Sequence, residues 1–364
     1  MAQSSRTRPP VKQDEVYAYV HSSIVDGDLA PGERLPARLV YEEQFGVSSV
    51  TVQRAFDRLM RDGFIEVKGT AGTFVSGKPP HLHRYALVFP DSQEGKSWST
   101  WFSVLLETTA HVRRLGVLDV RTYLEANDHV KSAGLRDLLA DVRASRLAGV
   151  VLIGHPQLSR DTLDRIASAV PTIVLASTPR VPQVPKLACV DLGGVTGFLR
   201  RALEYLSNKG RKRVAMTAVS MLEPERQEYF YSQAEALGMK TDFAWVHGID
   251  PYNGNWGENI ARLLFSKNQA ERPDALIISD DNIVDQVCRG LLGAGVSVPA
   301  DVEIVAHCNF PNKSYGVLPL ARLGFDTRSA LATCIELIDA RNSGREWPLF
   351  THVDALFEWE VATP

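Results

Sequence analysis

Ser49, Val50, Thr51, Gln53, Arg54, Arg58 and Arg61 crowd one short stretch of this chain, "SSVTVQRAFDRLMRDGF". Arginine and glutamine are the side chains that bond in pairs to guanine and adenine edges in a DNA groove, and arginines also neutralise phosphates. Val52, Ala55, Phe56 and Leu59 recur at three- and four-residue spacing, which predicts a helix with one buried stripe. The other face then carries Ser49, Val50, Gln53, Arg54, Asp57 and Arg58. A charged helix face is also what a merely solvated helix shows, and residues 1–80 hold ten Lys or Arg against ten Asp or Glu. The residues alone leave both readings open.

Other chemistry has little to stand on. There is no GxSxG, P-loop, HExxH or dinucleotide GxGxxG, and "GGVTG" at 193–197 lacks that last spacing. Asp280 and Asp281 are neighbours in sequence and poorly placed to work on one substrate as an acid–base pair. Cys189, Cys288, Cys308 and Cys334 lie too far apart for a zinc or CxxC pattern. No metal and no cofactor is expected.

The elements around the first stretch predict its geometry. "ERLPARLVYEEQFG" reads as a shorter helix starting near Pro36 and stopped by Gly46, so two helices meet across a tight turn. "GFIEVKGTAGTFVSG" reads as a hairpin with Gly69 and Gly72 at its tip, where backbone can approach DNA closely. Together these predict a winged helix-turn-helix whose second helix suits the major groove.

The 364 residues, at roughly 150 per domain, suggest two or three domains. A net charge of −3 places any nucleic-acid contact in local clusters rather than in bulk charge. "MAQSSRTRPP" lacks a signal-peptide core and no stretch is long enough to span a membrane, so a reducing cytoplasm is the expected location. The expected division is a DNA-binding domain at 1–77, a linker at 78–84 and an effector-binding part at 85–364. Pro79 and Pro80 predict an extended, stiff spacer, rising about 3 Å per residue.

Beyond Arg84, "YALVFP", "VLDVRTYL", "LAGVVLIG" and "PTIVLAS" alternate with helical stretches. After "KLACVDLGG" comes a second series: "RVAMTAV", "DFAWVHG", "DALIISD" and "VEIVAHC". This predicts an α/β fold of parallel sheets in two lobes. "PLARLGFD", the helix-like "TRSALATCIELIDARN" and a final strand "HVDALFEWEV" are expected to cross between them. Ligands of such folds bind beyond the carboxyl ends of the strands. Trp98, Trp101 and Phe102 follow the first strand, and Tyr252 and Trp256 follow the strand ending near His247. These rings could cover a sugar face or simply pack in a core or interface.

The run "IVDGDLAPGERLPARLVYEEQFGVSSVTVQRAFDRLMRDGFIEVKGTAGTFV" resembles the DNA-binding domain of the GntR family of bacterial regulators. The likeness includes the "G.L.PG..LP" approach, "FGVS..TV", "A...L...G" and the closing "GTFV". It departs at Leu39, Ser49 and Gln53, where the family often has arginines; Arg38 and Arg54 sit one position away from two of these. The resemblance implies Ser49, Val50, Gln53 and Arg54 at bases, with Arg38, Thr51, Arg58 and Lys68 on phosphates and Gly72 in the wing.

Tyr85 to Val361 resembles the effector domain of the LacI/GalR family, which is similar in fold to periplasmic sugar-binding proteins. The marks are "VDLGGVTGFLRRALEYLSNKGRKRVAM", "PERQEYF" and "RPDALIISDDNIVDQVCRGLLGAGVSVPADVEIVAHCN". A GntR-type domain on such an effector domain is the combination of arabinose-responsive repressors. The resemblance implies a small carbohydrate-like effector gripped by Arg226, Asp280 and Asp281, with Trp98, Trp101 and Trp256 beside it. Cys308 stands where the family has a ligand-gripping Asp, after Ala306-His307 in place of Gly-Phe.

The expected protein is therefore a transcriptional repressor, a homodimer on double-stranded operator DNA, answering to a sugar or sugar derivative. The alternatives are a pyridoxal-phosphate or other enzyme fused to a DNA-binding domain, and a regulator of a non-sugar metabolite.

Overall fold

Gly46 ends the second helix of the structure, where the sequence places the stop. The structure, a computed structural model, describes residues 12–95, 99–128, 132–176, 184, 186–219, 224–312 and 317–361. Helices α1 (Lys12–Val25) and α2 (Arg38–Phe45) precede α3 (Ser49–Asp62), with Gly46 in the left-handed region at φ 56° between the last two. There a side chain would be strained, so glycine sets the tight entry to α3. Strands β1 (Ile65–Val67) and β2 (Thr73–Val75) pair antiparallel as the wing. Val52, Ala55, Phe56 and Leu59 are all buried, packed with Val16, Val20, Tyr41 and Phe64.

The segment expected to be an extended spacer instead forms one helical turn, α4 (Pro80–His83). Pro80 occupies the first helical position, where its fixed φ and missing N–H cost nothing, and the Arg84 amide closes the turn on the Pro80 carbonyl.

The first sheet draws on β3 (Arg84–Val88), α5 (Thr100–Arg114), β4 (Asp119–Tyr123), α6 (Ala133–Arg143), β5 (Gly149–Ile153), α7 (Arg160–Ala169), β6 (Thr172–Ala176) and β7 (Leu187–Asp191). The second follows with α8 (Gly194–Asn208), β8 (Val214–Val219), α9 (Pro224–Ala236), β9 (Val246–Ile249), α10 (Trp256–Leu264), β10 (Ala275–Ile278), α11 (Val284–Gly293), β11 (Glu303–Phe310) and β12 (Ala321–Asp326). Then come α12 (Thr327–Asn342), β13 (Phe350–His352) and β14 (Leu356–Phe357). The strand orders are β13-β7-β6-β5-β3-β4 and β14-β12-β11-β10-β8-β9. All pairs are parallel except β12 with β14. β5, β6 and β10 are buried along their whole length, as parallel strands covered on both faces must be.

Among the described residues, the chain crosses between lobes three times: from β7 to α8, from β12 to α12, and from β13 to β14. α12 returns to the first lobe, where Ile338 fills the space beside Gly149 of β5. The last stretch is thus two short strands in different sheets rather than the single strand expected. Its pairing is interrupted because the chain must leave one sheet to reach the other. The Val353 amide donates to the Asp191 carbonyl at 2.8 Å, so the first and third crossings are tied together. Among the described residues, no helix is long and apolar enough to cross a membrane.

Candidate DNA interface and ligand cleft

On α3, Ser49, Val50 and Arg54 are exposed, Val50 by 58%, and Gln53 and Thr51 are half-buried. Gln53 Nε2 donates to Asp57 Oδ1 at 2.6 Å, and Ser48 and Thr51 share a hydroxyl bond of 3.0 Å. Such exposed surface bonds exchange readily with base edges. Arg38 stands exposed at the start of α2, its guanidinium 5.9 Å from the Phe56 ring centroid. In the wing, Lys68 lies 3.1 Å from Glu66 and over the Phe74 ring. Gly72 is at φ 112°, and a Cβ there would sit 3.1 Å from Arg34 Nε.

Arg34 belongs with this set, though the sequence reading passed over it. Its backbone bridges to Phe74, and its side chain lines the groove between the wing and α2 together with Arg38, Gly69 and Gly72. Its position four residues before Arg38 was the available signal.

Arg58 goes elsewhere, which corrects its expected place on a phosphate. It pairs with Asp14 at 3.0 Å and lies 4.0 Å from the Tyr17 ring centroid. Being one turn past Arg54, it lies against α1 while still partly exposed, and the ring and carboxylate hold it there.

Between the lobes lies a cleft of about 270 Å³. Ser99 and Trp101 come from the first lobe; Arg226, Asp280, Asp281 and Asn309 come from the second, with Phe198 and Phe325 as apolar walls. Asn282 Oδ1 accepts from both the Thr100 amide (2.9 Å) and the Thr100 hydroxyl (2.7 Å), bridging the lobes at the rim. The Asn282 side chain in turn donates to Asp280 Oδ1 at 2.6 Å, and Asn309 donates to Asp281 Oδ2 at 2.8 Å. Burial holds the Asp281 carboxyl above the usual range, opposed by His307 and the Asn309 amide. His307 also lines the cleft, between Phe198 and Phe325, and its buried Nδ1 has no hydrogen-bond partner among the described residues. A buried polar atom of this kind favours a ligand that supplies the bond.

The structure therefore brings Trp101, Arg226, Asp280 and Asp281 together. Cys308 is not with them: it is fully buried, and its thiol donates to the Asn312 carbonyl. The residues either side of it on β11 face the cleft, since side chains alternate along a strand. Applied to "AHCNF", that period would have pointed to His307 and Asn309. Trp256, 43% exposed at the start of α10, and Tyr252, 60% exposed, are outside the cleft lining. Trp98 lies outside the described residues.

Residues 12–75 match the family of bacterial regulatory proteins, gntR family, and residues 203–354 match the periplasmic binding protein-like domain. The chain joins a gntR-type DNA-binding domain to a periplasmic-binding-protein-like body. Over 62 residues it is 36% identical to the HTH-type transcriptional repressor NagR of Bacillus subtilis, covering 17% of this chain and 26% of that protein. The chain thus spans only about a quarter of NagR's length. It is 26% identical over 228 residues to the fatty acid metabolism regulator protein of Pectobacterium carotovorum, covering 59% of this chain and 81% of the relative. The body shares its fold with a LacI family transcriptional regulator from Lactobacillus casei with bound glucose, at TM-score 0.55 and 19% identity, covering 76% of this chain and 98% of that one. These relatives and neighbours are regulators of transcription rather than enzymes.

Proposed function

We propose that this protein is a transcriptional repressor that binds operator DNA as a symmetric homodimer and is controlled by a small polyhydroxylated ligand, a sugar or sugar derivative. The observation that carries the reading is the joining of the two parts: an exposed helix with its wing, and a cleft between two lobes lined by acids, amides, an arginine and aromatic walls. One winged helix reaches few bases, and each good bidentate contact discriminates by about 1–3 kcal/mol, so useful specificity calls for two half-sites. Ser49, Val50, Gln53 and Arg54 read bases; Arg34, Arg38, Thr51 and Lys68 hold the backbone, and Gly72 lets it approach.

In the cleft, Asp280 and Asp281 accept from ligand hydroxyls, Arg226 forks onto an oxygen pair, and Trp101 covers an apolar ring face. A relative is named for fatty acid metabolism. The density of charged and amide groups here disfavours an acyl chain, which would leave them unpaired.

Two experiments test this. Footprinting on upstream DNA is expected to show two symmetric half-sites; a single half-site protected equally by monomer overturns the dimer. A thermal-shift panel of monosaccharides, glycosides, uronates, nucleosides and fatty acids is expected to pick out a sugar. A ligand at a hundredfold excess over its Kd adds about 2.7 kcal/mol. A hit whose affinity survives both Arg226→Ala and Asp281→Ala would place it outside this cleft.

A further inference from the structure

The winged helix does not hang from its linker. Among the described residues, the hydrogen bonds and ion pairs that leave it all end on one turn of the first lobe, between α6 and β5. His21 Nε2 donates to the Ala144 carbonyl at 2.9 Å. Arg146 donates to Asp62 Oδ1 at 3.1 Å, and Tyr17 donates to the other Asp62 oxygen at 2.8 Å. Arg146 also contacts Asp141 at 3.4 Å, and Asp141 is held by Arg121 at 2.6 Å and by the Tyr123 hydroxyl. The Asp62 and Asp141 side chains are only 11% and 4% exposed, so this is a nearly dry pair of acids sharing one arginine. Around it, His21 packs edge-on against Phe64 at 4.6 Å, and His81 of α4 stacks on the same ring at 5.9 Å.

The position of this turn matters as much as its bonds. It precedes β5, so it lies at the amino end of the first sheet, whereas the cleft opens at the carboxyl ends. A ligand in the cleft is therefore a full strand length from the winged helix and touches none of its contacts.

We infer that the Asp62–Arg146–Asp141 clasp, with His21 on Ala144, fixes the DNA-binding domain to the first lobe as one rigid body. Resting on the regulator reading above, this assigns the cleft-to-DNA signal to rotation of the first lobe, not to the 78–84 segment. The Asp62–Arg146 pair tolerates little displacement, because Asp62 parted from the guanidinium is a nearly buried charge with only the Tyr17 hydroxyl on it, whereas Asp141 keeps Arg121 and Tyr123. A linker of one helical turn has no such constraint. In a dimer, two clasped domains hold a fixed half-site spacing; released domains must search for it.

The test places spin labels on cysteines at Leu39 and Leu115, both exposed, in the full chain, where the four native cysteines are buried. Labelled chain is diluted into excess unlabelled chain, so each distance is within one protomer. A narrow distance distribution is expected, and Asp62→Ala and Arg146→Ala should each broaden it, the double variant no more than either. Replacing 78–83 by Gly/Ser should leave it narrow. Unchanged distributions in both single variants, or equal broadening from the Gly/Ser chain, overturn the clasp. Should Arg146→Ala fail to fold, Asp62→Ala decides alone, since it leaves the first lobe intact. On a footprinted operator, Asp62→Ala should weaken binding to paired half-sites by about tenfold while sparing a single half-site. The distance measurement needs neither DNA nor ligand, so a failed regulator reading would appear as absent footprints with the clasp still narrow.

Discussion

Gly193 sits in the first crossing between lobes, and replacing it by alanine tests whether that crossing is as confined as its geometry implies. Its φ is 68°, and a Cβ would lie 3.1 Å from the Val353 carbonyl of the third crossing and 3.3 Å from the Phe325 ring of the cleft wall. The left-handed backbone alone costs alanine about 1–2 kcal/mol. Crowding against a backbone oxygen and a packed ring adds about 1–3 kcal/mol. The sum of about 2–5 kcal/mol corresponds to a fall in Tm of roughly 5–15 °C for a body of this size. Gly210→Ala is the control: its φ is 79°, with nothing within 4 Å of the added Cβ, so only the backbone cost remains. Thermal melts of both variants followed by circular dichroism give the comparison. Because Phe325 is displaced, Gly193→Ala should also weaken ligand binding, and Gly210→Ala should not. Equal losses in the two variants would refute the argument, showing that the crossing yields freely.

Arg58→Ala should destabilise the winged helix by about 1 kcal/mol, through the loss of its stacking on Tyr17, and leave the salt dependence of DNA binding unchanged. Lys68→Ala should instead weaken binding on all sequences and reduce the salt slope by about 1 in a titration series. Asp281→Asn should raise Tm at neutral pH while weakening ligand binding in calorimetry. Its folded pKa is raised by burial, so ionisation costs stability as pH rises through that value, and the amide removes the cost. Burial, with His21 and His83 nearby, depresses His81 to about 4, and burial also lowers His21, against the pull of the Ala144 carbonyl and Asp62. Stability from their neutral forms is complete above the unfolded value near 6.5 and is lost as pH falls toward 4, so Tm should fall over that range. His81→Phe should flatten the part due to His81.

The parts of this molecule legible in sequence were those governed by local periods. The stripe of Val52, Ala55, Phe56 and Leu59 announced α3, and alternating apolar runs announced strands for both lobes. What was not legible depends on contacts distant in sequence. Arg58 looks like any arginine on a recognition helix until α1 brings Asp14 and Tyr17 to it. Cys308 took the ligand position by alignment to a family pattern, while the strand's own alternation pointed to its neighbours. The α4 turn was hidden because Pro-Pro reads as extended until the following residues close a helix. The turn at 144–146 carries no motif at all; only the fold lays Arg146 against Asp62.

Strands β13 and β14 complete opposite edges of two separate sheets, one beside β7 and one beside β12. They are also made after the other described strands of both lobes. During synthesis each lobe therefore waits with an open edge, β7 in one and β12 in the other, and open edges are templates for pairing with other chains. The two are closed by the same few residues within moments of each other. Assembly of the lobes should thus be nearly simultaneous despite their order along the chain, and a chain cut before Phe350 would expose two unpaired edges at once.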